Sequence, residues 1–148
     1  MCGIVGVAAG RNIPSILLQG LQRLEYRGYD SSGVAVIDEV GELKVCRKPG
    51  KVQNLLQAME EQPIRGQTGI AHTRWATHGI VNEANSHPHS SGKRVSLVHN
   101  GIIENHNAIR DDLKAAGYIF ASDTDSEVIV HLVDSYLQQG HNLLEAVR

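Results

Sequence analysis

Cys2-Gly3-Ile4-Val5-Gly6-Val7-Ala8-Ala9 is the stretch from which the rest of the chain is read. It is short, apolar and β-branched in its middle, which suits a buried strand that starts at the chain terminus and holds residue 2 in place. Just beyond it, Asn12 and Pro14 have the form of a helix N-cap and first turn, and Ile13, Ile16, Leu17, Leu21 and Leu24 recur at helical spacing until Gly28. Gly33 to Asp38 and Leu43 to Lys48 are strand-like runs around Glu39-Val40-Gly41-Glu42, which predicts a hairpin with Cys46 in its second strand. Val52, Leu55, Leu56 and Met59 predict a short helix, and Gly66 to Thr73 and Arg94 to His99 two more buried strands.

Between those two strands, Arg74 to Lys93 is a long polar segment rich in His, Asn, Ser and Gly, expected to be a functional loop. Helices are expected at about Asn105 to Ala116, stopped by Gly117, and at about Asp125 to Gln138, stopped by Gly140. A last helix opens at Asn142 and reaches Arg148 without a C-cap, so the chain is expected to be truncated. Neither repeats nor linkers divide it, and residues 1–148 are expected to form part of one domain.

Composition narrows the function classes. At 148 residues a single domain buries roughly 70% of the surface its unfolded chain exposes. The 14 Lys and Arg balance 16 Asp and Glu with no basic run, which leaves no electrostatic footprint for nucleic acid. The apolar stretches fall far short of the ~20 residues that span a bilayer, and no charged-then-apolar leader follows Met1. A soluble, unexported protein is expected, with no membrane partner. Two cysteines allow one disulfide at most and no thiolate zinc site of the usual kinds, so a reducing cytoplasm is the simplest home.

Four places carry candidate chemistry. Cys2 follows the initiator methionine; if Met1 is removed, the thiol stands beside its own α-amine, whose pKa of about 7.7 to 8.0 lets it act as a base near neutral pH. The bland alternative is a small apolar residue in a strand. In His72-Thr73-Arg74-Trp75-Ala76-Thr77-His78-Gly79, the fork of Arg74 matches a carboxylate, although a structural ion pair explains it equally, and Trp75 either covers a site or fills core. Asn100-Gly101 at a strand end can aim a side-chain amide and a backbone N–H at one point, the makings of an oxyanion hole, or can be a plain turn. Ser122 to Glu127 opens a helix, where capping is the default and a carboxylate clamp on an ammonium the alternative. His87-Pro88-His89 with His72 and His78 invites a metal, but no third ligand is specified and the expectation is no metal and no cofactor.

Taken together, Cys-Gly-Ile-Val-Gly, Leu24 to Gly33, His72 to Gly79, His99 to Asn105 and the acidic helix start up to Asp125 resemble, in order, the glutaminase domains (class II glutamine amidotransferases) of the glucosamine-6-phosphate synthase family, the isomerising glutamine–fructose-6-phosphate aminotransferases. The resemblance implies an N-terminal-nucleophile hydrolase fold, an α+β four-layer αββα sandwich with antiparallel sheets. It further implies that Cys2 attacks L-glutamine, that Asn100 and Gly101 form the oxyanion hole, and that Arg74 and Asp125 bind the substrate's carboxylate and ammonium. The same resemblance implies that Trp75 lies beside the glutamine site and takes part in gating, with Thr77 and His78 nearby. Glutamate and ammonia are the products, the ammonia passing to sugar isomerase domains that this stretch lacks and that convert fructose 6-phosphate; the whole enzyme is implied to be a homodimer. A class II relative such as the phosphoribosyl-pyrophosphate amidotransferases, or a glutamine-binding fragment without turnover, is the alternative.

Overall fold

A computed structural model describes residues 2–75 and 80–148. β1 (Gly3–Ala8) is one edge of an antiparallel sheet of order β1-β4-β2-β3, completed by β2 (Ser31–Ile37), β3 (Leu43–Pro49) and β4 (Thr68–Arg74). The β2–β3 hairpin forms where expected, its turn held by Asp38, whose Oδ1 accepts from the backbone N–H of Val40 at 3.0 Å and of Glu42 at 2.8 Å. β1 is not the fully buried strand its composition suggested. Among the described residues it pairs on one side only, and side chains alternate between faces, so that Gly3 is buried and Ile4 is 46% exposed.

One face of this sheet carries α1 (Pro14–Leu24) and α2 (Val52–Glu61). Ile13, Leu17 and Leu21 recur on one stripe of the first helix, Val52, Leu55 and Met59 on the second, and all six pack with Val34, Val36 and Ala71 of the sheet. Each such aliphatic side chain contributes about 1.5 to 3 kcal/mol by leaving water. Pro14 stands in the first turn as expected, but Ile13 and not Asn12 is the N-cap. The Asn12 Oδ1 instead accepts the Gly66 N–H at 2.9 Å, tying the helix entry to the approach of β4. A 3-10 turn (Glu25–Arg27) follows α1 and stops at Gly28, whose φ of +73° favours glycine.

The opposite face meets a second, two-stranded sheet. β5 (His89–Ser91) pairs with β6 (Val95–Leu97), so the segment expected to be loop as far as Lys93 contains a strand. Gly33 permits the close approach of the two layers, because a side chain there would collide with the His87 carbonyl. Beyond β5 and β6 lie α3 (His106–Ala115), α4 (Glu127–Gln138) and α5 (Leu143–Val147), with Val95, Val130, Val133 and Ala146 forming a small apolar cluster. Helices, sheet, sheet and helices give the four-layer αββα arrangement. No described helix is long and apolar enough to cross a membrane.

The second half is held largely by polar groups. Asp134, fully buried, accepts two parallel bonds from Arg94 at 2.7 Å each and others from Ser91 at 3.0 Å and Tyr118 at 3.1 Å. The Arg94 guanidinium holds its carboxyl down at about 2 against the opposing effect of burial. Burial pushes the Glu127 carboxyl up, but the nearby His131 ring, with Nε2 at 3.5 Å, and hydrogen bonds from the Ser122 hydroxyl at 2.6 Å and from the Ala121 and Ser122 amides at 2.8 Å outweigh it and bring it to about 2.

Candidate active site

The antiparallel register of β1 and β4 sets Gly3 opposite Thr73, which brings Cys2 to the end of β4, where Arg74 gives way to Trp75. Thr73 Oγ1 accepts the Gly3 N–H at 3.1 Å and the Trp75 N–H reaches Cys2 Sγ at 3.2 Å, while the thiol lies 3.7 Å from the Trp75 carbonyl. Sheet hydrogen bonding therefore fixes the sulfur at the sheet end. From the far side, Asn100 Nδ2 approaches the Cys2 carbonyl at 3.5 Å.

A cavity of about 240 Å³ separates these groups. Cys2, Arg74, Trp75, Asn100, Gly101 and Asp125 all line it, residues far apart in sequence that the sandwich brings to one place. Arg74 is buried at the end of β4, its Nη1 donating to the Ile80 carbonyl at 3.4 Å. Asp125 is buried just ahead of α4 and does not cap it. The helix begins at Glu127 behind Ser126, and the Asp125 Oδ2 accepts the Ile103 N–H at 2.7 Å across to the segment after Gly101. A cation and a carboxylate thus face one small cavity that also holds a thiol and two potential oxyanion donors. Thr77 and His78 lie outside the described residues.

Burial sets the environment of two further groups. Trp75 is not core; it is 55% exposed and rests on the Gly28 turn, where a side chain at Gly28 would come within 3.0 Å of its ring. His87 and His89 do not face solvent, being 5% and 2% exposed. The His87 ring packs between those of His72 and His89, tilted against His72 and edge-on to His89, with centroid separations of 4.4 Å in both pairs. Burial lowers His72 to about 3 and His89 to about 4 and moves His87 the same way, so the three rings are neutral at physiological pH. Among the described residues no three His, Cys, Asp or Glu side chains are placed to share a metal ion.

The cavity is also lined by His87, weighed above only as a metal ligand, and by His99, Ile102, Thr124 and Ser126, which were assigned no part in substrate binding. His99 Nδ1 and Ser126 Oγ are 2.9 Å apart, linking the segment before Asn100 to that after Asp125. Only their adjacency to the candidate motifs pointed to them. A wider cleft of about 690 Å³ runs beside β3 and α2, where burial pushes the Cys46 thiol up and leaves it the less reactive neutral form.

Residues 58–148 match the family model described as "Glutamine amidotransferase domain". The glutamine–fructose-6-phosphate aminotransferase (isomerizing) of Shigella flexneri is 61% identical over 147 residues, which is 99% of this chain and 24% of that protein. The enzyme of the same name from Pseudomonas putida is 57% identical over 148 residues, 100% of this chain and again 24% of the relative. The chain thus spans about a quarter of the length of these curated relatives. Among solved structures, the glutamine phosphoribosylpyrophosphate amidotransferase from B. subtilis complexed with ADP and GMP superposes with a TM-score of 0.78 at 26% identity, covering 99% of this chain and 31% of that one. An allosteric regulatory enzyme of purine biosynthesis superposes with a TM-score of 0.80 at 27% identity, covering 99% and 32%.

Proposed function

The chain belongs to the family of glutamine amidotransferase domains, and on that premise we propose that it hydrolyses L-glutamine to glutamate and ammonia through a thioester on Cys2. The observation that carries the reading is the shared cavity, with Cys2, Asn100 and Gly101 at one end of a space also walled by Arg74 and Asp125. Once Met1 is removed, the α-amine of Cys2 takes the thiol proton and Sγ bonds to the side-chain amide carbon of glutamine. The carbonyl oxygen becomes an oxyanion that receives hydrogen bonds from Asn100 Nδ2 and the Gly101 N–H, a contribution of about 3 kcal/mol for each such donor in enzymes where it has been removed. Collapse breaks the C–N bond, the α-ammonium returns its proton to the leaving nitrogen as ammonia departs, and water then cleaves the thioester to glutamate. Arg74 binds the α-carboxylate, Asp125 the α-ammonium, and Trp75, exposed at the rim, covers the bound substrate with Thr77 and His78 beside it.

The isomerizing aminotransferase relatives, by name, pair glutamine with fructose 6-phosphate. We further propose that the 148 residues form the N-terminal part of a type-2 glutamine amidotransferase domain in a cytoplasmic enzyme that is a homodimer when full length, and that the ammonia passes to sugar isomerase domains for hexosamine synthesis. Glutamate production from glutamine, followed with and without Cys2→Ala, tests the chemistry. Turnover that survives the substitution contradicts it.

A further inference from the structure

Resting on that reading, we infer that Asn85 is a positioning residue that sets the distance between the two ends of the substrate clamp. It lies in the segment between β4 and β5, is fully buried, and uses both ends of its side-chain amide. Its Nδ2 donates to the Ile80 carbonyl at 2.9 Å, and the same carbonyl accepts from Arg74 Nη1 at 3.4 Å. Its Oδ1 accepts the Asp123 N–H at 2.9 Å, two residues before Asp125. One rigid amide therefore stands one hydrogen bond from the support of the carboxylate-binding arginine and two residues from the ammonium-binding aspartate. The partners fix its orientation, since the carbonyl of Ile80 requires an N–H and the amide of Asp123 an oxygen.

The rest of the segment reinforces the placement. Asn82 Oδ1 accepts the Asn85 N–H at 2.7 Å, and His89 Nε2 lies 2.8 Å from Thr124 Oγ1, directly beside Asp125. Asn85 lines no part of the cavity, so it acts on the substrate only through Arg74 and Asp125. A shift of about 1 Å in such a support can cost as much as 100-fold in rate through lost alignment. The thiol and the oxyanion donors are held by other contacts, so a change at Asn85 should misplace the α-carbon end of the substrate while leaving Cys2 as reactive as before.

Two reagents separate these effects. The glutamine mimic 6-diazo-5-oxo-L-norleucine carries the α-carboxylate and α-ammonium, whereas iodoacetamide carries neither; both rates are read at Cys2 by peptide mass mapping of the protein lacking Met1. Asn85→Ala should slow labelling by the diazo ketone at least tenfold and leave the iodoacetamide rate within twofold. Asn85→Asp is nearly isosteric, keeps the acceptor for the Asp123 N–H and loses the donor to Ile80; it should show the same selective loss and decides the matter if the alanine variant does not fold. Unchanged diazo ketone labelling in a folded variant, or an equal fall with both reagents, would overturn the assignment. If the parent reacts with iodoacetamide but not with the diazo ketone, the glutaminase reading fails and this inference with it.

Discussion

The two faces of the four-stranded sheet are stabilised in opposite ways. Toward α1 and α2 the contacts are aliphatic, with Ile13, Leu17, Leu21, Val34, Val36, Val52 and Leu55 fully buried. Toward β5 and α4 the buried groups are mostly histidines, carboxylates, hydroxyls and amides, including His72, Arg74, Asn85, His89, Asp125, Glu127 and Asp134. The dry face supplies non-directional stability. The polar face costs more to bury but fixes side chains by directional bonds, and that is the face on which Cys2, Arg74 and Asp125 converge.

The contrast breaks most readily on the dry face. Leu17→Ala should lower unfolding free energy by about 2 to 5 kcal/mol in a urea titration, through lost burial and a residual cavity, while leaving the diazo ketone to iodoacetamide rate ratio at Cys2 unchanged in the folded protein. On the polar face, Asp134→Ala leaves the donors of Arg94, Ser91 and Tyr118 without their acceptor. Because Arg94 is 60% exposed and regains water, the expected loss is about 2 kcal/mol, below the usual cost of breaking a fully buried pair.

Acid should act on the polar face alone. His72 and His89 titrate near 3 and 4 in the folded state against 6.5 unfolded, so the unfolded chain binds the protons that the native chain excludes. Their contribution is fully present above pH 6.5 and is lost as pH falls toward 3, at up to about 1.4 kcal/mol per histidine per pH unit. Glu127 and Asp134, depressed to about 2, add a second loss between their ordinary values of 4.5 and 3.8 and pH 2. His89→Gln should flatten the slope of stability between pH 6.5 and 4, which urea midpoints across that range measure. The smallest expected effect on stability is at Trp75: Trp75→Ala, at an exposed rim position, should change it by less than about 0.5 kcal/mol while slowing diazo ketone labelling.

The dry face was largely legible in the sequence, because amphipathic spacing in α1 and α2 and the hairpin of β2 and β3 are local patterns. The polar face was legible only as motifs. Arg74, Asn100 and Asp125 were singled out by chemistry, yet β5 was hidden because buried His, Ser and Asn read as a solvent loop when their partners lie elsewhere in the chain. His89, for example, is explained only by Thr124, and Asn85 only by Ile80 and Asp123. Asn12 was misjudged for the related reason that a short polar residue beside a helix looks like a cap, whereas it bonds to a different segment, at Gly66. Strand order β1-β4-β2-β3 has no local signature at all.

The most direct test of the central claim is intact mass before and after 6-diazo-5-oxo-L-norleucine, with the parent chain compared with Cys2→Ala. Addition of a single label that requires both Cys2 and the loss of Met1 is the predicted result. Labelling that persists in Cys2→Ala, or no labelling of a chain whose Cys2 is free, reduced and N-terminal, would contradict it.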